Sequence, residues 1–321
     1  MKKLSLKNKV LCPICASKLL WENNAQRSIA VDVSCSHCKA VFEYRYGILD
    51  LSLPTYENKT NQALNSYDSF WAASNENGVL SYSASENYIC NMALSGLSEA
   101  TLLDVGCGDG RHIPMFNKLG IKQLICVESS SSVYNIRRRF GEDYKGTLIL
   151  YIKCNIENLN LVPNSVNVIW ALGIINFFEK QKKLISCLMQ ASDHAIVFGL
   201  VSKNKWGGLY ASLNVMRTLQ KNKLIGVFVY VMSYALSALV VIFARYRKCF
   251  FFSNAGFFAT LLSKPKPVKA MQLSLLEPFT SPKIYRYSFK YYDEIAKKEG
   301  FNKEVVKENF LTDLHCWKKD S

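Results

Sequence analysis

Acidic residues are missing from a long part of this chain. None lies between Asp193 and Glu277, a stretch of 83 residues that contains eleven Lys and Arg. The basic start Met1-Lys2-Lys3-Leu4 is not followed by an apolar segment, which predicts that there is no secretory signal and favours a cytoplasmic location. No internal repeat or low-complexity tract is visible, and 49% hydrophobic with 20% charged residues excludes wholesale disorder.

The positive charge of the chain is concentrated in its C-terminal third. The net charge is +15 for 321 residues, and residues 201–321 contain twenty basic and eight acidic side chains, which gives +12. A zone of this kind attracts phosphate groups, either on nucleic acid or on a membrane surface. The charge therefore indicates a class of partner without choosing between these two.

Two cysteine pairs near the N-terminus have the spacing of a metal site. Cys12 and Cys15 form one Cys-x2-Cys pair, Cys35 and Cys38 form a second, and nineteen residues separate the pairs. Each pair places two thiolates on one tight turn, so the four cysteines predict a closed, tetrahedral, structural zinc site. His37 is left out because four cysteines already complete the zinc shell. The other seven cysteines lie singly in apolar segments, which is typical of a reducing compartment.

Strands and helices alternate in the middle of the sequence. Strands are predicted near residues 101–105, 122–127, 147–154, 166–172 and 194–201. This alternation predicts an α/β fold with a doubly wound parallel sheet. The pattern resumes with a helix near 288–299 and strands near 304–310 and 313–318. The predicted divisions are a zinc unit at 1–53, a helical cap or linker at 54–98, and an α/β domain at 99–321 with an insertion at 202–276.

A glycine-rich loop follows the first of these strands. The apolar run ends in Asp104-Val105, and Gly106, Gly108 and Gly110 come next. Glycines allow a tight turn and a close approach of the backbone to a ligand. The second strand ends in Glu128, at the place where an acidic residue usually holds a ribose diol. The NAD fingerprint Gly-x-Gly-x-x-Gly is not met, because Arg111 stands directly after Gly110.

This stretch resembles motif I of the class I S-adenosylmethionine-dependent methyltransferases. The resemblance implies a Rossmann-like sheet of seven strands, S-adenosylmethionine as cofactor, and Glu128 as the residue that binds the ribose hydroxyls. Residues 1–53 resemble the small zinc ribbon that precedes some methyltransferase domains. The cofactor-binding residues expected from the resemblance are Asp104, Gly106, Gly108, Gly110, Glu128, Asn155, Ile156, Glu157 and Leu172.

Asn155 follows the third strand, where the family usually has an aspartate that accepts a hydrogen bond from the adenine amino group. The side-chain oxygen of Asn155 can accept the same bond, and Ile156 and Glu157 would line the adenine edge. Many relatives carry a histidine pair near Asn176 and Phe177, which this chain lacks. No catalytic residue is therefore assigned, because positioning supplies most of what methyl transfer from a sulfonium needs.

Two other basic features near the glycine loop have plain interpretations. His112 is expected to pack at a helix N-terminus near the cofactor rather than to act as a general base. Arg137, Arg138 and Arg139 are expected to form a solvated helix face rather than a phosphate-binding site. Neither feature is assigned to the chemistry.

The insertion contains two long uncharged runs. The first spans residues 224–244 and the second spans 249–263, with Arg245, Arg247 and Lys248 between them. The first run is long enough for a transmembrane helix, but a single span would leave the last strands on the wrong side of the membrane. Three interpretations stay open: contact with an anionic membrane surface through 224–263, a lid over the active site, or a buried core helix.

The predicted function is methyl transfer from S-adenosylmethionine to a small-molecule or lipid-linked acceptor at the cytoplasmic face of a membrane. Methylation of ribosomal or transfer RNA is the alternative enzyme, since zinc ribbons also precede rRNA methyltransferases. Nucleic acid is less favoured because apolar runs, rather than stacking residues, interleave the basic zone. A third hypothesis is a non-catalytic adaptor that binds S-adenosylmethionine, and the missing histidines would suit it.

Overall fold

The computed structural model describes residues 6–21, 30–53, 82–97, 99–201, 231–232, 235, 285–307 and 313–319. The N-terminal strands are β1 (Val10–Leu11), β2 (Leu19–Trp21), β3 (Ala30–Cys35), β4 (Val41–Arg45) and β5 (Ile48–Asp50). The central elements are α1 (Ala84–Leu94), β6 (Thr101–Val105), α2 (Ile113–Lys118), β7 (Gln123–Glu128), α3 (Ser132–Phe140), β8 (Asp143–Tyr144), β9 (Thr147–Lys153), β10 (Asn160–Leu161), β11 (Val166–Leu172), α4 (Gln181–Ala191) and β12 (Ser192–Leu200). The C-terminal elements are α5 (Phe289–Lys298), β13 (Phe301–Lys307) and β14 (Asp313–Lys319).

Seven strands form the predicted sheet in the order β13-β14-β12-β11-β6-β7-β9. The pairs from β12 through β9 are parallel, whereas β14 runs antiparallel to both of its neighbours. The central strands are apolar along most of their length because helices cover both faces of a parallel sheet. The prediction of a doubly wound α/β sheet is confirmed.

Alternate residues of each central strand belong to two separate cores. Leu102 and Leu124 lie in the core that α1, α2 and α3 cover. Leu103 and Ile125 lie in the core on the other face, which contains residues of α4 and α5. Because side chains alternate across a strand, one apolar run supplies both cores. The rigid sheet then holds the loops at its carboxyl edge in place.

The N-terminal strands extend this sheet instead of forming a separate body. β5 pairs in parallel with β9, and β4, β3 and β2 follow it outward in antiparallel order. β1 pairs with β10, so the N-terminal part contacts the α/β domain at two places. Apolar side chains of residues 1–53 also share one core with the central strands. The predicted division of the chain at residue 53 stays a prediction.

The order of the strands reverses at β6. The chain runs from β6 to β7 on one side and reaches β11 on the other. At such a switch point the loops that follow neighbouring strands part and leave a crevice at the carboxyl edge of the sheet. The glycine loop after β6 and the end of β11 border this crevice.

Most of the insertion at 202–276 lies outside the described residues, as do both ends of its uncharged runs. Val231, Met232 and Ala235 are described, and all three are helical and exposed. Within the described ranges no helix is long and apolar enough to cross a membrane. The three interpretations of residues 224–263 stay predictions.

Candidate active site

The glycine loop is attached to β7 through its backbone. Gly106 and Gly108 have φ values of +70° and +58°, a region that side chains with a Cβ rarely occupy. The amide of Gly106 donates to the carbonyl of Val127 (2.8 Å), and the amide of Cys107 donates to the same oxygen (3.1 Å). The sequence forms this turn because the glycines allow the chain to reverse directly after β6.

Glu128 holds the other side of the same loop. One carboxylate oxygen accepts from the amide of Gly108 (2.8 Å), and the other accepts from the amide of Ser130 (3.0 Å). The side chain of Ser132 donates to the carbonyl of Gly108 (2.8 Å). A carboxylate oxygen can accept more than one hydrogen bond. Glu128 therefore shapes the loop in this structure, and its contact with a ribose stays a prediction.

Asp104 places a carboxylate at the base of the crevice. It is almost fully buried, and its Oδ2 has no hydrogen-bond partner among the described residues. Burial raises the pKa of Asp104 to about 8, with the charges of Glu128 and Asp109 adding to the effect and Arg111 opposing it. A buried oxygen without a partner costs free energy, which a cationic donor from a ligand would recover.

A small, open cavity lies at this switch point. Its lining residues are Asp104, Gly106, Cys107, Gly108, Asp109, Arg111, His112 and Leu172. Four of the predicted cofactor-binding residues are thus brought together around one space. The other five, which are Gly110, Glu128, Asn155, Ile156 and Glu157, do not line this cavity.

His112 faces the cavity and is held from outside it by Glu86 of α1. The ring nitrogen Nε2 lies 3.4 Å from a carboxylate oxygen of Glu86, and the guanidinium of Arg111 lies 3.9 Å from the same oxygen. Burial lowers the pKa of His112, so the ring is neutral at pH 7. The ring also packs edge-on against Trp170. This arrangement agrees with the packing role expected for His112.

Glu86 itself is ionised. Burial alone would raise the pKa of Glu86, but the hydrogen bond with His112, the charge of Arg111 and the amide of Ser83 together lower it. The side chains of Ser83 and Glu86 also form a reciprocal capping box at the start of α1. Sequence reasoning missed Glu86 as a neighbour of the site, although Ser83-x-x-Glu86 is the recognisable pattern of a helix start.

Gly110 has a different role from the other two glycines. Its φ is +73°, and a Cβ there would lie 2.8 Å from the side chain of Ile136 and 2.9 Å from that of Phe140. The absence of a side chain lets the loop pack directly against α3. This is the packing role of a third glycine in such loops rather than contact with a ligand.

Asn155 begins a short turn after β9. Its side-chain oxygen accepts from the amide of Glu157 (3.0 Å) and caps the single-turn helix Ile156–Asn158. Ile156 is buried and Glu157 is exposed. The oxygen predicted to accept from adenine is thus already bonded once, although a second hydrogen bond is compatible with an amide oxygen. The adenine contacts of these three residues stay predictions.

Asn176 lies after β11, where relatives often carry a histidine. It is buried, and its amide donates to the carbonyl of Tyr285 (2.9 Å) and, at 3.4 Å, to that of Val201. Its oxygen accepts from the amide of Val201 (2.8 Å). The residue is fully engaged with backbone groups. It therefore has a structural role, in keeping with the absence of a catalytic base at this position.

The four predicted metal ligands lie together, and none of them lines the cavity. Their sulfur atoms all fall within 4.8 Å of one another, with 3.7 Å between Cys12 and Cys38 and 3.4 Å between Cys15 and Cys35. Four sulfurs at 2.3 Å from a tetrahedral zinc would be about 3.8 Å apart. The cluster is thus compatible with a zinc ribbon whose shell is complete.

Comparison with known proteins is consistent with this geometry. Residues 103–191 match a family model described as a methyltransferase domain. No curated protein matches the chain significantly in sequence. The matched range contains β6 to α4, and with them the glycine loop and the crevice.

Solved structures with similar folds include several methyltransferases. Magnesium protoporphyrin IX methyltransferase from Synechocystis PCC 6803 with bound SAH has 12% identity and a TM-score of 0.45, over 83% of this chain and 97% of that one. An S-adenosylmethionine-dependent methyltransferase from Mesorhizobium loti has 13% identity and a TM-score of 0.45, over 74% and 98% of the two chains. One from Listeria monocytogenes has 12% identity and a TM-score of 0.43, over 74% and 100%.

Proposed function

We propose that this chain, whose residues 103–191 match a methyltransferase domain, transfers a methyl group from S-adenosylmethionine to a small or lipid-linked acceptor at the cytoplasmic face of a membrane. The observation that carries the reaction class is the crevice at the switch point, with Asp104 at its base and Gly106 and Gly108 at its rim. When bound there, S-adenosylmethionine would supply an activated methyl group: the acceptor would form a bond to the methyl carbon as the carbon–sulfur bond breaks, and S-adenosylhomocysteine would leave.

The residues of the crevice bind and orient rather than exchange protons. The unpartnered oxygen of Asp104 would accept from the ammonium group of the cofactor, and its ionised form would be stabilised by that charge. Because Gly106 and Gly108 have no Cβ, the backbone of the loop can approach the ligand closely. The neutral ring of His112 closes one wall beside Trp170. Holding the methyl group and the acceptor in line in this way would supply a large part of the rate enhancement of methyl transfer.

The position of the insertion supports an acceptor bound next to this crevice. Val201 and Tyr285, the described residues on either side of 202–284, both bond to Asn176 at the carboxyl edge of the sheet. The chain therefore leaves and rejoins the described fold beside β11, whose last residue Leu172 lines the cavity. In open α/β sheets ligands bind at the carboxyl edge of the strands, so the methyl acceptor must also reach this cavity.

The composition of the insertion supports a membrane surface as the place of reaction. Eleven Lys and Arg without any acidic residue would be attracted to anionic lipid headgroups. The side chains of Val231 and Met232, within the first uncharged run, are 57% and 52% exposed. Apolar side chains on a basic helical segment are typical of elements that lie in the membrane interface.

A methyl-transfer assay separates the three candidate functions. Purified protein with S-adenosylmethionine labelled in its methyl group is incubated with lipid extract, with small-molecule extract and with RNA from the source cells. We expect label in the lipid or small-molecule fraction, and none with the Gly106→Val variant, whose Cβ would lie 3.3 Å from Ile174. Label in RNA would instead favour the RNA enzyme. Cofactor binding without label in any fraction would favour the adaptor.

A vesicle-binding experiment tests the membrane part. Wild-type protein should bind vesicles that contain phosphatidylserine, more weakly as salt rises. Replacing Arg245, Arg247 and Lys248 by Gln should weaken binding, since each basic residue near the surface contributes about 1 kcal/mol. The matched control replaces Arg138, Arg139 and Lys145, three exposed basic residues of the α/β domain. Equal weakening by both triple variants would contradict a specific membrane contact by the insertion.

A further inference from the structure

The segment predicted to hold the adenine is enclosed by the N-terminal part of the chain. We call residues 154–159 the cofactor loop. Directly before it, β9 pairs with β5, and the amide of Leu51 donates to the carbonyl of Lys153 (2.8 Å). The ammonium group of Lys153 also lies 3.1 Å from the carboxylate of Asp50. The start of the cofactor loop is therefore tied to β5.

The end of the cofactor loop is tied to the first cysteine pair. β10 follows the loop at once and pairs with β1, with Leu161 opposite Val10 and Asn160 opposite Leu11. The side-chain amide of Asn160 then donates to the backbone carbonyl of Cys12 (2.9 Å), 148 residues away in sequence. A predicted metal ligand is thus bonded through its own carbonyl to the residue that directly follows the cofactor loop.

The two regions also share apolar packing. Cys154, Ile156 and Leu159 of the cofactor loop belong to the same buried cluster as Val10 and the side chain of Cys12. N-terminal residues therefore pair with the chain directly before and directly after the cofactor loop, and both regions belong to one core. A loop held at both ends keeps its shape only while the N-terminal strands and the turn of Cys12 keep theirs.

We propose that metal occupancy of the four-cysteine site is coupled to cofactor affinity, with Asn160 as the positioning residue between the two sites. The proposal rests on the zinc and cofactor sites described above. A metal ion that joins two cysteine pairs fixes the turn on which Cys12 lies. Without it the carbonyl of Cys12 and strand β1 lose their fixed position, and the cofactor loop loses the support at its end. The effect is reciprocal, so bound cofactor also retains the metal.

The first test measures the affinity for S-adenosylhomocysteine by calorimetry in four states: the wild type and Asn160→Ala, each with and without zinc. Removing zinc from the wild-type protein should weaken binding by about fivefold or more, in the usual range of coupled sites. In Asn160→Ala the zinc-loaded protein should bind about three- to tenfold more weakly, as for one lost hydrogen bond. Zinc removal from this variant should then have a smaller further effect, because the coupled contact is already gone.

The matched control is Asn117→Ala. Asn117 also donates from its side-chain amide to backbone carbonyls, those of Tyr144 and Lys145, but it does so beside the first residue of β9, at the end of that strand away from the cofactor loop. This variant should show the same loss on zinc removal as the wild type. An equal loss on zinc removal in Asn160→Ala and in the wild type overturns the proposal, as does a wild-type affinity that zinc removal leaves unchanged.

A second measurement covers the case in which the zinc-free protein unfolds. Zinc release from the loaded protein is followed by the absorbance of the chelator 4-(2-pyridylazo)resorcinol, with and without saturating S-adenosylhomocysteine. The ligand should slow release from the wild type and from Asn117→Ala, but much less from Asn160→Ala. Release that is insensitive to the ligand in the wild type overturns the coupling. Protein purified without zinc overturns the metal site itself, and zinc-loaded protein that does not bind S-adenosylhomocysteine overturns the cofactor site.

Discussion

The side-chain amide of Asn176 donates to the carbonyl of Tyr285, 109 residues further along the chain. The same side chain bonds to both the amide and the carbonyl of Val201. Tyr285 in turn donates from its amide to the carbonyl of Asn176 (2.7 Å) and accepts from the side chain of Gln181 (3.1 Å). One residue therefore joins the two ends of the described fold between which residues 202–284 are inserted.

Replacing Asn176 should destabilise the protein strongly. In Asn176→Ala the buried amide of Val201 loses its partner, whereas the carbonyl of Tyr285 keeps its bond from Gln181, so we expect the free energy of unfolding to fall by about 1–3 kcal/mol. Urea denaturation measures this loss. The control is Asn135→Ala, whose side-chain oxygen accepts from Arg138 at the surface. The structural role of Asn176 would be wrong if both variants were equally stable.

One zinc ion should bind per chain through the four clustered cysteines. Cys35→Ser should lose the metal and lower the unfolding midpoint, because a closed site contributes its binding energy to folding. Metal analysis of protein purified without chelator and thermal denaturation measure the two effects. Cys187→Ser is the control, since Cys187 is exposed and outside the cluster. Protein that contains no zinc in the wild type would contradict this prediction.

Cofactor affinity should rise with pH because of Asp104. Its pKa is about 8 in the folded protein against an ordinary value of 3.8, so the carboxyl is mostly protonated at pH 7. A cationic group favours the carboxylate, so binding should release a proton below about pH 8 and affinity should approach a tenfold rise per pH unit. Calorimetry at several pH values in two buffers measures both. Asp104→Asn should bind more weakly and lose this dependence.

The same pKa shift has a consequence for the free protein. Because the folded-state pKa is raised, the contribution of Asp104 to the free energy of unfolding is fully present below about pH 4 and is lost as the pH rises through about 8. Without cofactor, Asp104→Asn should therefore be at least as stable as the wild type at pH 9. A lower stability of the variant at that pH would mean that the carboxylate has a partner in the fold.

Gly110 should be needed for packing as well as for its backbone conformation. Gly110→Ala places a methyl group 2.8 Å from Ile136, whereas Gly146→Ala, at a similar φ of +88°, meets nothing within 4 Å. Both variants should lose about 1–2 kcal/mol through the left-handed backbone. Gly110→Ala should lose a further 1–3 kcal/mol or so through overpacking. If urea denaturation gave the same loss of unfolding free energy for both variants, the side chains of α3 would be moving aside at no cost, and the packing role of Gly110 would be wrong.

Much of the fold was predictable because its signals are local. The strands β6, β7, β9, β11 and β12 are continuous apolar runs, which parallel strands covered on both faces require. Asp104 and the three glycines mark the turn after β6, and the two Cys-x2-Cys pairs mark their own turns. Each of these patterns spans only a few residues, so it could be recognised without knowledge of the partners.

The neighbours of the site were not predictable in this way. Glu86 reaches His112 from a helix that lies outside the motif, and Asn160 reaches Cys12 across 148 residues. Asn176 was identified only as a position without histidine. Each of these contacts depends on which surfaces pack together. The type of one residue does not indicate which distant residue it will contact.

The sequence alone determined the α/β class, the order of strands and helices, the glycine loop and the cysteine cluster, because backbone conformation and burial follow from nearby residues. Only the tertiary structure decided that β5 joins the sheet beside β9 and that the N-terminal part encloses the cofactor loop. It also decided that Glu128 bonds to the glycine loop, and that Gly110 packs against α3. Strands pair through backbone groups that every residue has, so no residue type indicates which two strands will be neighbours. The pairing depends instead on how the whole core packs.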